Sequence, residues 1–164
     1  MNMFTKWFDR LMLHEGGYVN DPRDAGGETM WGVTKRVAVA HGYNGRMRDL
    51  PKSTARAIAE KSYYLAVKGD KLDPVISWQL TDAAYNHGNR QAVKFLQRAV
   101  GASADGLIGP RTIAAVNAMD KNDVVMLFLA ERLEFFTNLS SWTAFGKGWA
   151  RRVATNLRFA VMDN

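Results

Sequence analysis

The sequence from residue 14 to residue 34 reads HEGGYVNDPRDAGGETMWGVT. This stretch combines four carboxylates with five glycines and one proline. An apolar pattern with helical spacing runs up to it and stops at Glu15. Because glycine and proline favour tight turns, we expect a loop or short hairpin after Glu15 that carries the remaining acids. Those acids are Asp21, Asp24 and Glu28.

A carboxylate at the end of a packed helix, followed by a loop with further carboxylates, suits acid–base cleavage of a glycosidic bond. That reaction needs one carboxyl group kept protonated by apolar surroundings and a second one that is ionised. An acid at a helix C-terminus is unfavourable in the field of the helix dipole, so stability does not explain Glu15. Glu15 is therefore the candidate general acid, and a solvent-exposed glutamate is the alternative. The apolar stripe before it consists of Phe4, Trp7, Phe8, Leu11 and Met12.

Composition excludes several classes of protein. The chain contains no cysteine, so disulfides and thiolate metal sites are excluded. Its net charge of +6 favours an anionic partner, such as anionic lipid or a cell-wall polymer. Nucleic acid is not expected, because the charge is spread along the chain without a recognisable binding motif. No apolar run reaches the roughly 20 residues of a membrane span, and charges at Lys6, Asp9 and Arg10 argue against a signal peptide.

The remaining sequence predicts a mainly α fold. Thr34 and Asp73 are expected to cap helices that end near His41 and His87. Together with the first helix and those at about 54–66, 89–100, 110–116, 122–139 and 149–162, this makes about eight helices. At most one small β-hairpin is expected, near residues 18–34. In the third helix the predicted buried residues are Ala57, Ile58, Tyr64 and Leu65.

A solvated turn at 68–73 predicts a division into a catalytic part, 1–72, and a helical part, 73–164. In the second part, residues 140–148 are expected to form a linker before the final helix. That helix carries Arg151, Arg152 and Arg158 on the face opposite its apolar residues. A solvated polar face is one interpretation of these arginines, and contact with anionic lipid or an outer membrane is the other.

Three separated motifs resemble those of the glycoside hydrolase family 108 lysozymes, the N-acetylmuramidases that phages use as endolysins. The 14–34 stretch is similar to the opening motif of that family. The segment DAAYNHGNRQAVKFLQRAV through DGLIGPRTIAAV, residues 82–116, resembles its predicted peptidoglycan-binding segment, and FGKGWARR, residues 145–152, resembles its C-terminal pattern. The resemblance implies a lysozyme-like helical fold in two lobes around a cleft. It also implies cleavage of the β-1,4 bond between N-acetylmuramic acid and N-acetylglucosamine.

The resemblance assigns roles to individual residues. Glu15 falls on the catalytic glutamate of the family, and Asp24 and Thr29 fall near the acid and hydroxyl of the wider phage-lysozyme pattern. Asp24 would activate water or stabilise the transition state, with Asp21 as its rival, and Thr29 would hold the attacking water. A turn aspartate and a strand threonine are the alternatives. Glu28 is expected to be solvated.

The candidate substrate-binding residues are Asn86, Tyr85 and Trp31. Asn86 suits contacts with sugar hydroxyls or acetamido groups, whereas for Tyr85 and Gln97 a structural role in a helical core is the alternative. His14 and Glu15 lack the second histidine of an HExxH zinc site, so no metal and no cofactor are expected.

The sequence therefore predicts a monomeric phage endolysin that stays in the host cytoplasm until a holin permeabilises the inner membrane. It would then reach the periplasm and hydrolyse peptidoglycan, lysing the host. The alternatives are a non-hydrolytic wall-binding module acting through residues 82–116 and a cationic membrane-disrupting protein acting through residues 147–162.

Overall fold

A computed structural model of the chain describes residues 3–14, 16–20 and 27–164. In these ranges the fold is mainly α, with eight α-helices and one two-stranded antiparallel sheet, as the sequence predicts. The helices are α1 Met3–Leu11, α2 Lys35–Ala40, α3 Lys52–Ala59, α4 Pro74–His87, α5 Asn89–Ala99, α6 Pro110–Asn117, α7 Lys121–Thr137 and α8 Trp142–Asp163. Short 3₁₀ turns span Met47–Asp49 and Gly69–Lys71, and a π-helical segment spans Glu60–Leu65.

The chain divides into two compact units, Met1–Ser62 and Tyr63–Asn164. The division falls ten residues before the boundary at 72 that the sequence suggests. In the second unit, the turn at 68–73 contributes a 3₁₀ turn that packs on α4.

In the first unit, α1 buries one apolar stripe. Phe4, Trp7, Phe8 and Leu11 are at most 1% exposed, because a spacing of three and four residues places them on the same face. Backbone hydrogen bonds continue as turns from Met12 to His14, after the helix has ended. The predicted stripe is thus confirmed over α1.

The predicted β-hairpin is present and is very short. Strand β1 is Thr29–Met30 and strand β2 is Val33–Thr34, with Thr29 opposite Thr34. The two turn residues, Trp31 and Gly32, have φ values of 54° and 72°. Two successive left-handed residues are what a two-residue hairpin turn requires. Thr34 then caps α2, since its side chain accepts a hydrogen bond from the Val37 amide at 3.3 Å.

The prediction for the third helix is partly wrong. Ile58 is buried, but Ala57 and Leu65 are exposed, and the other buried residues of α3 are Ala55 and Ala59. After Ala59 the helix widens into the π-helical segment, which changes the rotation per residue. A helical wheel drawn at constant pitch through residue 66 therefore assigns the wrong face.

Helix α4 is the centre of the second unit, and α5, α7 and α8 all pack against it. Its limits match the prediction: Asp73 caps the N-terminus by accepting from the Val75 amide at 3.0 Å, and Gly88 follows with φ 84°. Residues 75–84 are all buried. A helix surrounded in this way is buried on every side instead of along one stripe, and its polar residues Ser77, Gln79, Thr81 and Asp82 are buried with it.

The predicted linker at residues 140–148 is wrong over most of its length, because residues 142–148 form the first two turns of α8. Gly146 is buried there under the ring of Trp142, and a Cβ at Gly146 would lie 2.6 Å from that ring. The glycine, which by propensity disfavours a helix, is what allows the Trp142 ring to pack against the helix. No helix among the described residues is long and apolar enough to span a membrane.

Candidate functional site

Three of the predicted site acids, Glu15, Asp21 and Asp24, lie outside the described residues, so their assignments stay predictions. The structure does place Thr29 and Trp31, which lie within the hairpin of the first unit. Asn86 and Tyr85 lie in the last turn of α4, in the second unit.

Thr29 has a firmly held backbone. Its N–H donates to Val19 O at 2.8 Å, its carbonyl accepts from Val19 N at 3.0 Å, and on its other edge it pairs with Thr34. Within the described part of the chain the Thr29 hydroxyl has no hydrogen-bond partner. The backbone thus holds a half-buried hydroxyl that is available to a ligand or water.

Trp31 is held by its indole. The Nε1–H group donates to the Leu50 carbonyl at 3.0 Å, and the Lys52 ammonium lies 5.9 Å from the ring centroid. The polar end of this side chain therefore serves the fold, and what it can offer a substrate is the face of a half-buried ring.

Glu28, which we expected to be solvated, is bound on both carboxylate oxygens. Tyr18 Oη donates to Oε1 at 2.7 Å, and Lys35 Nζ lies 3.2 Å from Oε2. The hydrogen bond from Tyr18, followed by that from Lys35, lowers the pKa of Glu28 below its usual value. An acid held ionised in this way is a poor proton donor near neutral pH.

Asn86 is oriented by an arginine. Arg132 Nη2 donates to Asn86 Oδ1 at 3.0 Å, and in the described ranges Asn86 Nδ2 makes no hydrogen bond. The amide is thus held by its acceptor end while its donor end stays available. Tyr85 instead packs edge-on against Tyr63, with ring centroids 4.7 Å apart, which is the contact expected for the structural alternative.

Arg132 belongs to a buried cluster of charges around Asp82. Arg132 Nη1 and Asn156 Nδ2 donate to Asp82 Oδ2 at 2.6 and 2.7 Å, and Arg152 Nη2 donates to Oδ1 at 2.9 Å. Burial alone would raise the pKa of Asp82, but the two arginines outweigh burial and hold it well below its usual value. Two guanidinium groups and one amide therefore saturate a fully ionised carboxylate.

This cluster corrects the interpretation of the final helix. Arg152, which the sequence places on an exposed cationic face, is 6% exposed and bound to Asp82. Only Arg151 and Arg158 of the three predicted arginines are exposed. The sequence carries one indication of the cluster, because Arg132 has helical spacing to the buried apolar residues Leu129 and Phe136 of α7.

His87 completes the arrangement. Its Nε2 accepts a hydrogen bond from Arg132 Nε at 3.0 Å, and its ring packs edge-on against Phe95 at 5.2 Å. Burial and the neighbouring Arg132 lower the pKa of His87 to about 3. His87 is therefore neutral near pH 7. Among the described residues, no group of three or more His, Asp or Glu side chains is arranged to hold a metal ion.

Gln97 organises the loop between α5 and α6. Its side chain is 1% exposed, and its Nε2 lies within 2.8–3.1 Å of Asp105 Oδ1, Leu107 O and Thr112 Oγ1. Its Oε1 accepts from the Gly106 amide at 2.9 Å. Gln97 therefore has the structural role that was its alternative in the sequence analysis, since its buried amide holds the loop between α5 and α6.

Two family models match the chain. The model described as "Glycosyl hydrolase 108" matches residues 8–88, and the one described as "Predicted Peptidoglycan domain" matches residues 91–154. The first range includes Glu15, Asp24, Thr29 and Asn86, and the second includes the Gln97 loop.

A solved structure, titled "Structure of Brucella abortus SagA", is similar over nearly the whole length. The sequences are 33% identical, the match covers 98% of this chain and 94% of that chain, and the TM-score is 0.87. No curated protein matches the chain. The fold is lysozyme-like, and both family matches support a glycoside hydrolase that acts on peptidoglycan. The chain belongs to the glycosyl hydrolase 108 family.

Proposed function

We propose that the protein is a lysozyme that hydrolyses the β-1,4 bond between N-acetylmuramic acid and N-acetylglucosamine. The observation that carries this proposal is the order of the two matches, a glycosyl hydrolase segment at 8–88 followed by a peptidoglycan segment at 91–154. The acid-rich stretch at 14–34 lies within the first match. The net charge of +6 adds attraction to an anionic wall.

In this proposal Glu15 protonates the oxygen of the scissile bond as the sugar–oxygen bond breaks. Water then adds its oxygen to the sugar carbon and gives up a proton. Asp24 either accepts that proton or stabilises the positive charge on the sugar while the Glu15 carboxylate accepts the proton. Thr29 holds the water through its hydroxyl, for which its fixed backbone and unpartnered side chain in the described structure are suited. Asn86 and the ring of Trp31 bind sugar.

The variant Glu15→Gln tests the proposal, because it keeps the shape of the side chain and removes the acidic proton. Clearing of purified walls should fall by about 10²–10⁴-fold. Clearing at the rate of the parent protein would refute the assignment of Glu15. Mass analysis of the released fragments tests the bond: reducing-end muramic acid is expected, whereas glucosamine ends, anhydro-sugars or free peptides would indicate a different reaction.

We further propose that the protein acts as a phage endolysin, held in the host cytoplasm until a holin opens the inner membrane. Expression inside a bacterium should then leave the culture intact until the inner membrane is permeabilised, after which turbidity should fall. Lysis that begins without permeabilisation would contradict this part of the proposal. The expected state of the protein in solution is a monomer, which sedimentation tests directly.

We also propose that α8 contacts an anionic membrane. Leu157, Val161 and Met162 are 46%, 80% and 67% exposed and share this helix with the exposed Arg151 and Arg158. Exposed apolar and cationic side chains together suit an anionic lipid surface. The full chain should therefore bind anionic vesicles more tightly than neutral ones, and equal binding to both would refute this contact.

A further inference from the structure

Three depressions surround the loop 106–110 in the second unit. The largest, 760 Å³, is lined by that loop and the start of α6. A second, of 600 Å³, shares Gly109 and Pro110 with the first, and a third, of 360 Å³, shares Leu107 and Ile108 with the first and Lys68 with the second. Since each pair has lining residues in common, we treat the three as one surface and call it the loop groove.

The loop groove is lined by cations. Lys68, Lys71, Arg90 and Arg111 line it, against a single carboxylate, Asp105. Asp105 Oδ1 is already bound by Gln97 and by the Leu107 amide, at 2.8 Å each. Lys71 pairs with the exposed Asp70 at 3.1 Å, but in the described part of the chain neither Lys68 nor Arg111 forms an ion pair. The surface therefore has positive charge that the fold does not neutralise.

Two of these cations occupy positions that stability does not explain. Arg111 lies in the first turn of α6, where the helix dipole disfavours a positive charge, and the preceding Gly109 offers no side-chain cap. Lys68 has φ 55°, a left-handed conformation that costs energy for any residue with a Cβ. Both side chains are exposed. Two exposed cations on one surface, without ion pairs in the described part of the chain, suit an anion-bearing ligand.

The loop also presents an apolar contact. Leu107 is 71% exposed, although its backbone is held at both ends, by Asp105 Oδ1 at its N–H and by Gln97 at its carbonyl. A rigid backbone that displays a leucine beside cations can bind a ligand with both carboxylates and short aliphatic groups, at a low cost in conformational entropy.

We propose that the loop groove binds the peptide stems of peptidoglycan through their free carboxylates. This inference rests on the proposed function in taking the bacterial wall as the substrate. Within that polymer the sugar rings are uncharged and gain little from cations, whereas the stems carry carboxylates and aliphatic side chains. The groove would hold the protein on the wall through the peptide, while the acids of the 14–34 stretch act on the glycan.

Calorimetric titration of the full chain with a soluble tetrapeptide stem tests the proposal. The peptide contains no glycosidic bond, so binding is measured whether or not the protein is a hydrolase. The free-carboxylate peptide should bind, its amidated form should bind at least about tenfold more weakly, and affinity should fall with added salt. The double variant Lys68→Gln/Arg111→Gln should weaken binding roughly 5- to 30-fold.

The matched control is Lys61→Gln/Arg98→Gln, which removes the same charge from exposed positions outside the loop groove and should change affinity less than about twofold. Thermal unfolding of both double variants checks that the fold is intact. Equal binding of the amidated peptide, or equal losses in the two double variants, would overturn the proposal. So would binding of polyphosphate without binding of the stem.

The outcomes separate this proposal from the proposed function. Stem binding that persists in Glu15→Gln, together with loss of wall clearing, supports both. Wall clearing by the parent protein without any stem binding refutes only the role of the loop groove. Stem binding by a parent protein that does not clear walls refutes only the proposed hydrolase activity.

Discussion

Arg132 Nη1 donates to Asp82 Oδ2 over 2.6 Å, and neither side chain is exposed to solvent. The same arginine donates to Asn86 through Nη2 and to His87 through Nε. One guanidinium thus joins the buried charge at the centre of the second unit to Asn86, the candidate substrate-binding residue at the end of α4.

Breaking this ion pair should destabilise the protein strongly. Asp82→Asn removes the negative charge and leaves the guanidinium groups of Arg132 and Arg152 buried without a counter-ion. The free energy of unfolding should fall by about 3–5 kcal/mol, measured by denaturant titration. The control is Asp49→Asn, which breaks the exposed pair with Arg46 at 2.7 Å and should cost less than about 1 kcal/mol. Similar losses in the two variants would contradict the role given to the buried pair.

His87 should make stability depend on pH below neutrality. The unfolded histidine takes up a proton near its usual pKa of 6.5, whereas the folded one does so only near 3. Between these values the unfolded state binds more protons, so stability falls as the pH falls, by up to about 1.4 kcal/mol per pH unit. In His87→Gln this part of the dependence should disappear. In His41→Gln, at an exposed histidine, it should persist; an unchanged profile in His87→Gln would contradict the buried neutral state.

Gln97 should be needed for the loop between α5 and α6 to keep its conformation. Gln97→Leu fills similar space but leaves the Gly106 amide and the Leu107 carbonyl without their partner. We expect a loss of roughly 1–3 kcal/mol in unfolding free energy and faster amide exchange at Gly106. Arg98→Gln, exposed on the same helix, is the control and should be nearly neutral. Normal exchange at Gly106 in Gln97→Leu would show that the loop is held by other contacts.

Two variants of Thr29 can distinguish a role in positioning water from a purely structural role in the strand. Thr29→Val keeps the β-branched shape that suits the hairpin and removes the hydroxyl, so wall clearing should fall roughly ten- to hundredfold with little change in stability. Thr29→Ser retains the hydroxyl and should keep most of the activity. If both variants clear walls like the parent protein, Thr29 is only a strand residue.

The second carboxylate can be assigned by comparing two neutral variants. Asp24→Asn should reduce wall clearing by about 10²–10⁴-fold, whereas Asp21→Asn should leave most of it. The reverse result would move the role to Asp21. Both substitutions keep the size and hydrogen-bonding shape of the side chain, so equal thermal unfolding is the check on folding.

Much of the fold was predictable because its signals act over one or two turns of chain. The stripe of α1, the caps at Thr34 and Asp73, and the start of α6 at Gly109–Pro110 all lie where the sequence indicates. A cap or an apolar stripe depends on residues at most four positions apart, so each can be recognised without knowing the rest of the molecule. The family was also predictable from sequence, because the acid-rich stretch that indicates it is a short local motif.

What only the tertiary structure decided was which polar groups are buried and what they bind. Asp82 meets Arg132 at a separation of 50 residues and Arg152 at 70, and the adjacent Arg151, with the same side chain, is exposed. The start of α8 likewise depends on Trp142 packing over Gly146, against the helix propensity of glycine. Burial of a charge is favourable only when its partners arrive together, and that depends on how α4, α7 and α8 pack.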